Sequence, residues 1–505
     1  MMFGMEYFVM LFIILGQGGQ DLLDFVSVDA YWKAKNVTVS VEQLQKDAGP
    51  DEKIEAVADL IKNLQSEEFP VREEARKKLL TMGPAAIEPL KAAQDSKDPE
   101  VAATAKDILT QLASHARDRQ VRRLMAVRTL GERKEAAAVP LLKTLVDSKE
   151  PFVGEYAQRA LAAIEGKAWT RPMAAKSLEA DFNILPKDTG IVAQIRATPT
   201  GEKPVTIDAM VEEAVKNSPE AMKDRIAKGK DKVITKITSQ VLEIADRVGN
   251  IRIDGLTLAV AQDVGPDKGW ASFVARGQYD RAAVIEALET LAGGSPRFKK
   301  EARDGVTVIS MEREFSLAFV SDHQLILSSA PNETLKTAAL DGLLTALKTG
   351  KGGIAENSAL AALMKDVDTK CMIWAAGILS DAIKKEIAFT GIDTFTLTTS
   401  REKDLIKFTL TGQGKDADVV ASTIKVWSDG IQRMLQSAQK ANTLKSLVEI
   451  VESLKASSDG TKALVTAQVK GNVNSSLVSP LMLYFISESE VMEPDDGGNL
   501  PAPGQ

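Results

Sequence analysis

Three segments in the first third of the chain share a pattern of apolar residues that aligns without a gap. The matching positions are Leu60, Val71, Ala75 and Leu79 in the first segment, Leu90, Val101, Ala105 and Leu109 in the second, and Leu142, Val153, Ala157 and Leu161 in the third. A repeated unit of this kind is typical of a helix pair, whose apolar stripe is buried only when neighbouring pairs stack on it. We therefore expect a stacked all-α array over residues 52–166.

Proline marks the start of the second helix in each predicted pair. Pro70, Pro99 and Pro151 stand one or two residues before the registered valine. Proline fits the first turn of a helix because the amide hydrogen that it lacks would have no partner there. Asp98 is placed to cap the helix that Pro99 opens. The prolines therefore support the helix boundaries that the repeat predicts.

These repeats resemble the short bacterial form of the HEAT repeat. The resemblance rests on Phe69-Pro-Val-Arg-Glu-Glu-Ala75 and Asp147-Ser-Lys-Glu-Pro-Phe-Val153, and it covers roughly residues 53–166. It implies an N-terminal HEAT-like solenoid. Two features depart from the family pattern: Arg72 has no arginine counterpart in the later units, and the longer second interval implies a divergent unit around residues 117–131.

The first 18 residues resemble a signal peptide. An unbroken apolar run over residues 7–15 is followed by Gly16, Gln17 and Gly18, but Glu6 precedes it and no Lys or Arg does, whereas a secretory leader normally begins with positive charge. The run is too short to span a bilayer, so no stable membrane span is expected. Export to the periplasm or the extracellular space and retention of a partly buried N-terminal segment in the cytoplasm both stay open.

Residues 19–51 are expected to form an N-terminal arm. They contain Tyr31, Trp32 and the alternating Val37, Val39 and Val41. Alternation of apolar residues is typical of a half-buried strand, and two adjacent aromatic residues are typical of a packing contact. The arm is therefore predicted to be either a small strand or a packing arm.

From about Ala180 the chain changes to short β runs separated by helical stretches. The expected strands include residues 191–195, 256–260, 270–276, 306–310, 315–320, 325–328 and 463–469. Runs of this kind, joined by hairpin turns and helices, predict an α+β domain with an antiparallel sheet over residues 180–487, ending in a helix near 476–486. Residues 488–505 are acidic and rich in Pro and Gly, which predicts a disordered tail.

A weaker repeat lies inside the α+β region. The first copy consists of Glu243-Ile-Ala, Gly249, a β-rich run, and Phe273 with Gly277; the second consists of Glu386-Ile-Ala, Gly391, the run 394–398, and Phe408 with Gly412. Both copies read as a helix, a hairpin and a glycine turn. The domain is therefore either two related halves, at about 230–350 and 378–487, or a mixed domain in which a short pattern recurs by chance.

Composition and motifs limit the chemistry that the chain can perform. The net charge of −7 and the isoelectric point near 5.4 disfavour nucleic acid as a partner. Cys371 is the single cysteine, so neither an intrachain disulfide nor a cysteine-based zinc site can form. The loop at 412–417 has the glycine spacing of a dinucleotide loop, but its strand is expected to pair as a hairpin and not within a parallel βαβ unit. The loop at 348–353 lacks the first glycine and the hydroxyl residue of a phosphate loop. His115 and His323 have no nucleophile motif nearby, so no cofactor, metal or catalytic residue is predicted.

A cluster of arginines is the one candidate binding feature. Arg119, Arg122 and Arg123 fall on one helix face, beside an apolar stripe, in a protein that is acidic overall. Such a face is either solvated and balanced by neighbouring carboxylates, or it binds an anion or a protein partner. We take these three residues as the candidate partner-binding site.

As a whole, the chain resembles uncharacterised secreted bacterial proteins that join a HEAT-like stack to an α+β domain, and this resemblance implies no activity. A stacked helical array presents an extended surface. We therefore expect a non-catalytic protein-binding or scaffolding module outside the cytoplasm. Two alternatives stay open: a carrier of an apolar ligand such as lipid, held in the C-terminal domain, and a hydrolase whose acidic residues converge only in three dimensions.

Overall fold

The computed structural model covers most of the chain. It describes residues 20–49, 57–82, 86–96, 98–148, 150–171, 181–196, 205–217, 220–265, 267–311, 315–351, 353–386, 390–402, 405–440 and 445–470. The expected signal peptide, the final helix near 476–486 and the acidic tail lie outside these residues. Within them, no helix is long and apolar enough to cross a membrane.

The N-terminal part is helical. Its helices are α1 Val28–Ala34, α2 Val41–Ala48, α3 Val57–Asn63, α4 Phe69–Met82, α5 Ile87–Gln94, α6 Pro99–Glu132, α7 Val139–Leu145 and α8 Val153–Glu165. Most registered apolar positions of the repeat are buried, among them Leu79, Leu90, Ala105 and Leu142, whereas Leu109 and Leu161 are only half-buried. The helices therefore bury the stripe that the repeat predicts, although not at every position.

The helix α6 departs from the expected pairing of short helices. It runs for 34 residues, so residues 117–131 form its C-terminal half and not a separate unit. Its first half packs through Ile108 and Leu112 into a core with α3, α4 and α5. Its second half packs through Leu124 and Val127 into a second core with α1, α2, α7 and α8. One helix therefore joins two hydrophobic cores.

The N-terminal arm is helical, so the prediction of a small strand is wrong. Ser27 and Ser40 each accept a hydrogen bond from a backbone amide in the first turn of the following helix, at 3.2 Å. These caps start α1 and α2 and override the alternation of the valines. The arm does pack: Tyr31 and Trp32 are buried, and Trp32 Nε1 donates to Thr129 Oγ1 at 2.9 Å.

The C-terminal part is an antiparallel sheet with helices. Its strands are β1 Thr189–Arg196, β2 Arg252–Ala261, β3 Ala271–Gln278, β4 Phe298–Arg303, β5 Val306–Met311, β6 Phe315–Ser321, β7 Gln324–Ser329, β8 Ile373–Ile378, β9 Thr394–Glu402, β10 Leu405–Gln413, β11 Lys455–Asp459 and β12 Lys462–Lys470. Its helices are α9 Ile207–Asn217, α10 Glu220–Val248, α11 Arg281–Ala292, α12 Glu333–Thr349, α13 Ser358–Lys365, α14 Asp381–Glu386, α15 Ala417–Lys440 and α16 Lys445–Ser453. The expected α+β class with an antiparallel sheet is confirmed at this level.

The strands form one sheet in the order β11-β12-β10-β9-β8-β1-β2-β3-β7-β6-β5-β4. The order on the two sides of the β1–β8 pair matches: β1-β2-β3-β7-β6 on one side corresponds to β8-β9-β10-β12-β11 on the other. The first side carries the additional hairpin of β4 and β5 at its outer edge. The sheet is therefore continuous across the junction of its two sides.

One face of this sheet is covered near its middle by α12 and α13. Their leucines, including Leu340, Leu343 and Leu360, form a core with Trp374 and Ile326 of the sheet. The helical part joins the sheet through α10, which packs on α6 and leads directly into β2. The opposite face of the sheet contacts α11 and α15.

Candidate functional site

A row of apolar side chains crosses the face of the sheet opposite α12 and α13. Cross-strand pairing places Leu410, Leu397, Ala375, Ala193, Leu258, Phe273 and Leu327 side by side on seven adjacent strands. Paired residues in an antiparallel sheet point to the same face. A second row on the same face contains Ile373, Ile195, Leu256, Ala275 and Leu325. We call these two rows, together with Val260, the central apolar face.

The residues of the central apolar face are half-buried, except Ala375, which is buried. On β1, β2 and β7 the residues alternate between fully buried positions, such as Val192, Ala259 and Ile326 on the α12 side, and half-buried positions on the central apolar face. An antiparallel sheet normally places polar residues on the side that it leaves to water. Here both sides are apolar, as in strands that are covered on both faces.

Within the ranges that the structure describes, helices cover this face only at its two sides. On one side, Ile285 of α11 packs with Ile309, Leu317 and Phe319. On the other side, Val420 and Ile424 of α15 pack with Leu379, Ile392 and Ala463. Among the described residues, Leu256, Leu258, Val260, Phe273, Leu397 and Leu410 belong to none of the five buried clusters. The face is therefore a trough with a helical wall on each side.

The floor of the trough is lowest where the two sides of the sheet meet. Ala193 and Ala375 are paired there on β1 and β8, between the larger Leu258 and Leu397. Two residues after Ala375 on the same strand, the ring of Phe395 lies over Gly377. A Cβ added at Gly377 would lie only 2.3 Å from this ring, so glycine is needed there for the ring to close the floor. On the neighbouring strand β9, Thr399 Oγ1 donates to Ile373 O at 3.0 Å. The side chains that line the trough therefore offer dispersion and apolar burial.

The three arginines that the sequence singled out lie elsewhere, on α6. Arg123 is 4% exposed, and its Nη1 donates to both carboxylate oxygens of Glu150 at 2.5 and 2.7 Å while its Nη2 donates to Gly49 O at 2.7 Å. Arg122 Nε donates to Asp47 Oδ2 at 2.9 Å. Arg119 is half-buried. Because Arg122 and Arg123 bind groups inside the molecule, they fasten the end of α2 to α6. The partner-binding role of the three arginines stays a prediction.

A polar cleft of about 630 Å³ lies between the helical part and the sheet. Its carboxylates are Glu150, Glu155, Asp280 and Asp322, and His323 lies beside them. Three of these carboxylates are engaged: Glu150 binds Arg123, Glu155 binds Arg252 at 2.6 Å, and Asp280 caps α11 by accepting a hydrogen bond from Ala283 N. His323 Nδ1 lies 3.0 Å from Gly277 O. Three of the four carboxylates of the cleft therefore already have structural partners.

The remaining sequence motifs have structural roles. In the 412–417 loop, a Cβ at Gly414 would lie 2.1 Å from Gly391 O, so this glycine permits close packing of two turns. In the 348–353 loop, Gly350 ends α12 in the left-handed conformation, at φ 65°. Cys371 is half-buried, and its Sγ donates to Ile373 O at 3.2 Å. The side chain of His115 lies outside the described part of the structure.

Comparisons with known proteins add little to this geometry. No protein-family model matches the chain, and no curated protein matches its sequence. Crystal form III of TP0453 matches with a TM-score of 0.31 and 11% identity, over 59% of this chain and 97% of that one. Crystal form I of TP0453 matches with a TM-score of 0.28 and 10% identity, over 59% and 96%. Similarity at this level carries no argument about fold or function.

The sequence contained a signal for the central apolar face. The run Leu256-Thr-Leu-Ala-Val-Ala261 has apolar side chains on both faces of its strand, with Thr257 as its one polar residue. A half-solvated strand would alternate with charged or amide residues instead. The run predicts apolar surroundings on both sides, but it does not reveal that one side lacks a covering helix.

Proposed function

We propose that this protein is a non-catalytic binding protein whose central apolar face holds a ligand with a hydrocarbon chain. The observation that carries the proposal is the pair of apolar rows that cross the middle of the sheet between two helical walls while staying half-exposed. Exposed contiguous apolar surface of this kind marks binding sites in soluble proteins. The apolar-ligand alternative from the sequence is therefore favoured over scaffolding.

The trough suits an extended chain better than a compact ring. It runs across the strands over alanines and leucines, and the residues that define the central apolar face carry no hydrogen-bonding side chain. Burying about ten methylene groups contributes roughly 8 kcal/mol at about 0.8 kcal/mol each. The loss of chain and rotational freedom on binding offsets part of this. We therefore expect a dissociation constant on the order of micromolar or weaker.

Titration with the fluorescent fatty acid cis-parinaric acid tests the proposal. The variant Ala193→Trp places an indole on the floor of the trough, next to Leu258 and Ala375. The matched control is Leu464→Trp, because Leu464 is 40% exposed and lies on the opposite face of the same sheet, next to Thr411. We expect at least about tenfold weaker binding in the first variant, a loss of about 1.4 kcal/mol, and wild-type binding in the control.

A milder variant guards against loss of folding. Leu258→Asn keeps the size of the side chain while making the centre of the face polar, and circular dichroism reports whether each variant is folded. Equal affinity in wild-type protein, folded Ala193→Trp and folded Leu258→Asn would contradict the proposal. So would the absence of any binding to wild-type protein at ligand concentrations well above the micromolar range.

Scaffolding stays as a second candidate because the helical part exposes an aromatic side chain. Phe69, the first residue of α4, is 65% exposed. Aromatic residues that are exposed on stacked helices often mark contact sites for partners. The variant Phe69→Ala should reduce retention of a binding partner, whereas Lys78→Ala on the same helix should not. Equal retention by both variants would remove this candidate.

We also propose a HEAT-like solenoid, an internal duplication of the sheet, and export of the protein. The buried repeat positions and the proline-led helices support a HEAT-like solenoid in residues 52–166. The matching strand order on the two sides of β1 and β8 supports an internal duplication, in which the β2–β3 and β9–β10 pairs correspond. The signal-peptide-like residues 1–18 support export, and analysis of the mature N-terminus by mass spectrometry tests this.

A further inference from the structure

The segment from Asp21 to Val26 joins the helical part of the molecule to the sheet. Leu22 N donates to Ile251 O at 2.7 Å, and Leu23 N donates to Asn250 Oδ1 at 3.1 Å, just before β2. From the other side, Arg128 of α6 donates to Leu23 O and Val26 O at 2.9 and 2.8 Å. The segment is therefore bonded on one side to the sheet and on the other to the long helix. We call it the junction segment.

The junction segment carries two fully buried carboxylates. Asp21 is 0% and Asp24 is 2% exposed. Asp24 Oδ1 accepts a hydrogen bond from Arg159 of α8 at 2.8 Å and lies 3.8 Å from Arg128. Its partners come from the helical part alone, so Asp24 secures the segment to that part.

Asp21 faces a more crowded set of charges. Its Oδ2 accepts a hydrogen bond from Arg171 at 3.0 Å, and its Oδ1, 3.8 Å from Arg252 of β2, has no hydrogen-bond partner. Both arginines are shared with Glu155 of α8, at 3.1 and 2.6 Å. Asp24 on the segment itself adds a further negative charge. Asp21 therefore lies where buried negative charges compete for two cations.

Three further titratable groups lie around Asp21, Asp24 and their arginines. Asp254 of β2 lies 2.8 Å from Arg252, and Glu132 of α6 accepts a hydrogen bond from Arg128 at 2.6 Å. Tyr156 of α8 is buried beside both carboxylates, and burial raises the pKa of its hydroxyl well above the ordinary value. Tyr156 therefore stays neutral and adds no charge to the cluster. The charged groups that act most strongly on Asp21 are Arg171, Asp24, Arg252 and Glu155.

We propose that the junction segment is a pH-sensitive latch, which holds the helical part against β2 in acidic solution and loosens as the pH rises towards neutrality. Its titrating group is the Asp21 carboxylate, whose charged form lacks a hydrogen-bond partner for one oxygen among the described residues.

The directions of the two pKa shifts agree with this latch. Burial, opposed by Arg171, raises the pKa of Asp21 from 3.8 to about 6. A raised pKa in the folded state means that protonated Asp21 favours docking below about pH 4, and that this contribution is lost as the pH rises through 6. Burial also acts to raise the pKa of Asp24, but the charges of Arg159 and Arg128 outweigh it and hold this pKa below 3.8. Asp24 therefore stays charged and constant over the range in which Asp21 titrates.

Hydrogen exchange of the full chain tests the latch. The reporters are the amides of Leu22 and Leu23, which are bonded to the sheet side of the junction. After correction for the intrinsic pH dependence of exchange, the opening equilibrium of these amides should increase about thirtyfold from pH 4.5 to 7.5 for a pKa near 6. In Asp21→Asn the same equilibrium should change by less than about twofold.

Two further variants make the result decisive. Glu165→Gln also changes an acid to its amide, but at an exposed ion pair with Lys167, and it should keep the wild-type slope. Arg171→Gln removes the cation that opposes burial at Asp21, so the midpoint should move to higher pH, and this measurement decides the matter if Asp21→Asn does not fold. A flat wild-type profile, or an unchanged midpoint in Arg171→Gln, would overturn the latch.

Discussion

Removing the guanidinium of Arg123 should destabilise the protein, because this group fastens two helices from a buried position. The Arg123 side chain is 5% exposed, and its partner Glu150 is 47% exposed. Breaking a fully buried ion pair costs about 3–5 kcal/mol. Because Glu150 can be hydrated after the loss, we discount this to about 2–3 kcal/mol for Arg123→Met. Methionine preserves much of the packing of the arginine stem, so the measured loss reports the polar contacts.

Urea denaturation, followed by near-ultraviolet circular dichroism, measures this loss. The matched control is Arg247→Met. Arg247 is also a helical arginine paired with a glutamate, Glu243 at 2.6 Å, but its side chain is 46% exposed. An exposed pair of this type contributes at most about 1 kcal/mol. A free energy of unfolding in Arg123→Met within about 0.5 kcal/mol of wild type would refute the structural role. It would also return Arg123 to consideration as a partner-binding residue.

Two further predictions test the packing of the helical part. Leu112 is fully buried in the first core, whereas Leu161 is half-buried at a repeat position, so Leu112→Ala should cost about 2–5 kcal/mol and Leu161→Ala roughly half as much or less. Equal losses in urea denaturation would contradict the two-core description. Gly131→Ala should cost about 1–3 kcal/mol, because the added Cβ would lie 2.6 Å from Ala160 Cα where α6 crosses α8. An unchanged melting temperature would show that this crossing is looser than described.

The strands were predictable because each leaves a local pattern in the chain. The runs at 191–195, 256–260 and 325–328 all lie within observed strands. Their apolar residues on the α12 side had to be buried, so alternation and β-propensity were sufficient.

The helical part was predictable in class but not in its boundaries. The repeat implied a separate unit at residues 117–131, yet no proline follows Pro99 until Pro140, and Gly131 lies at the end of α6. Nothing in that stretch ends a helix, so one helix continues through two cores. In the arm, the serine caps outweighed the alternating valines, and this competition could have been read from Ser27 and Ser40.

The candidate site could not be predicted from the sequence because it depends on what lies across the sheet. The residues of the central apolar face look like core residues in one dimension, and only the positions of α11 and α15 reveal that no helix in the described part of the chain covers the middle. Arg122 and Arg123 show the opposite problem. They look exposed in a helical projection, but α2 and Glu150 surround them. Both outcomes depend on contacts between residues far apart in sequence.

Photoaffinity labelling with a fatty acid that carries a diazirine in its chain tests the central claim most directly. Mass spectrometry of the digested protein then identifies the peptides that carry the label. The account predicts labels on the central apolar face, in peptides that contain Ala193, Leu258 and Leu397, and their loss when unlabelled fatty acid competes. Labels confined to the helical part or the polar cleft, or labels that competition does not reduce, would contradict it.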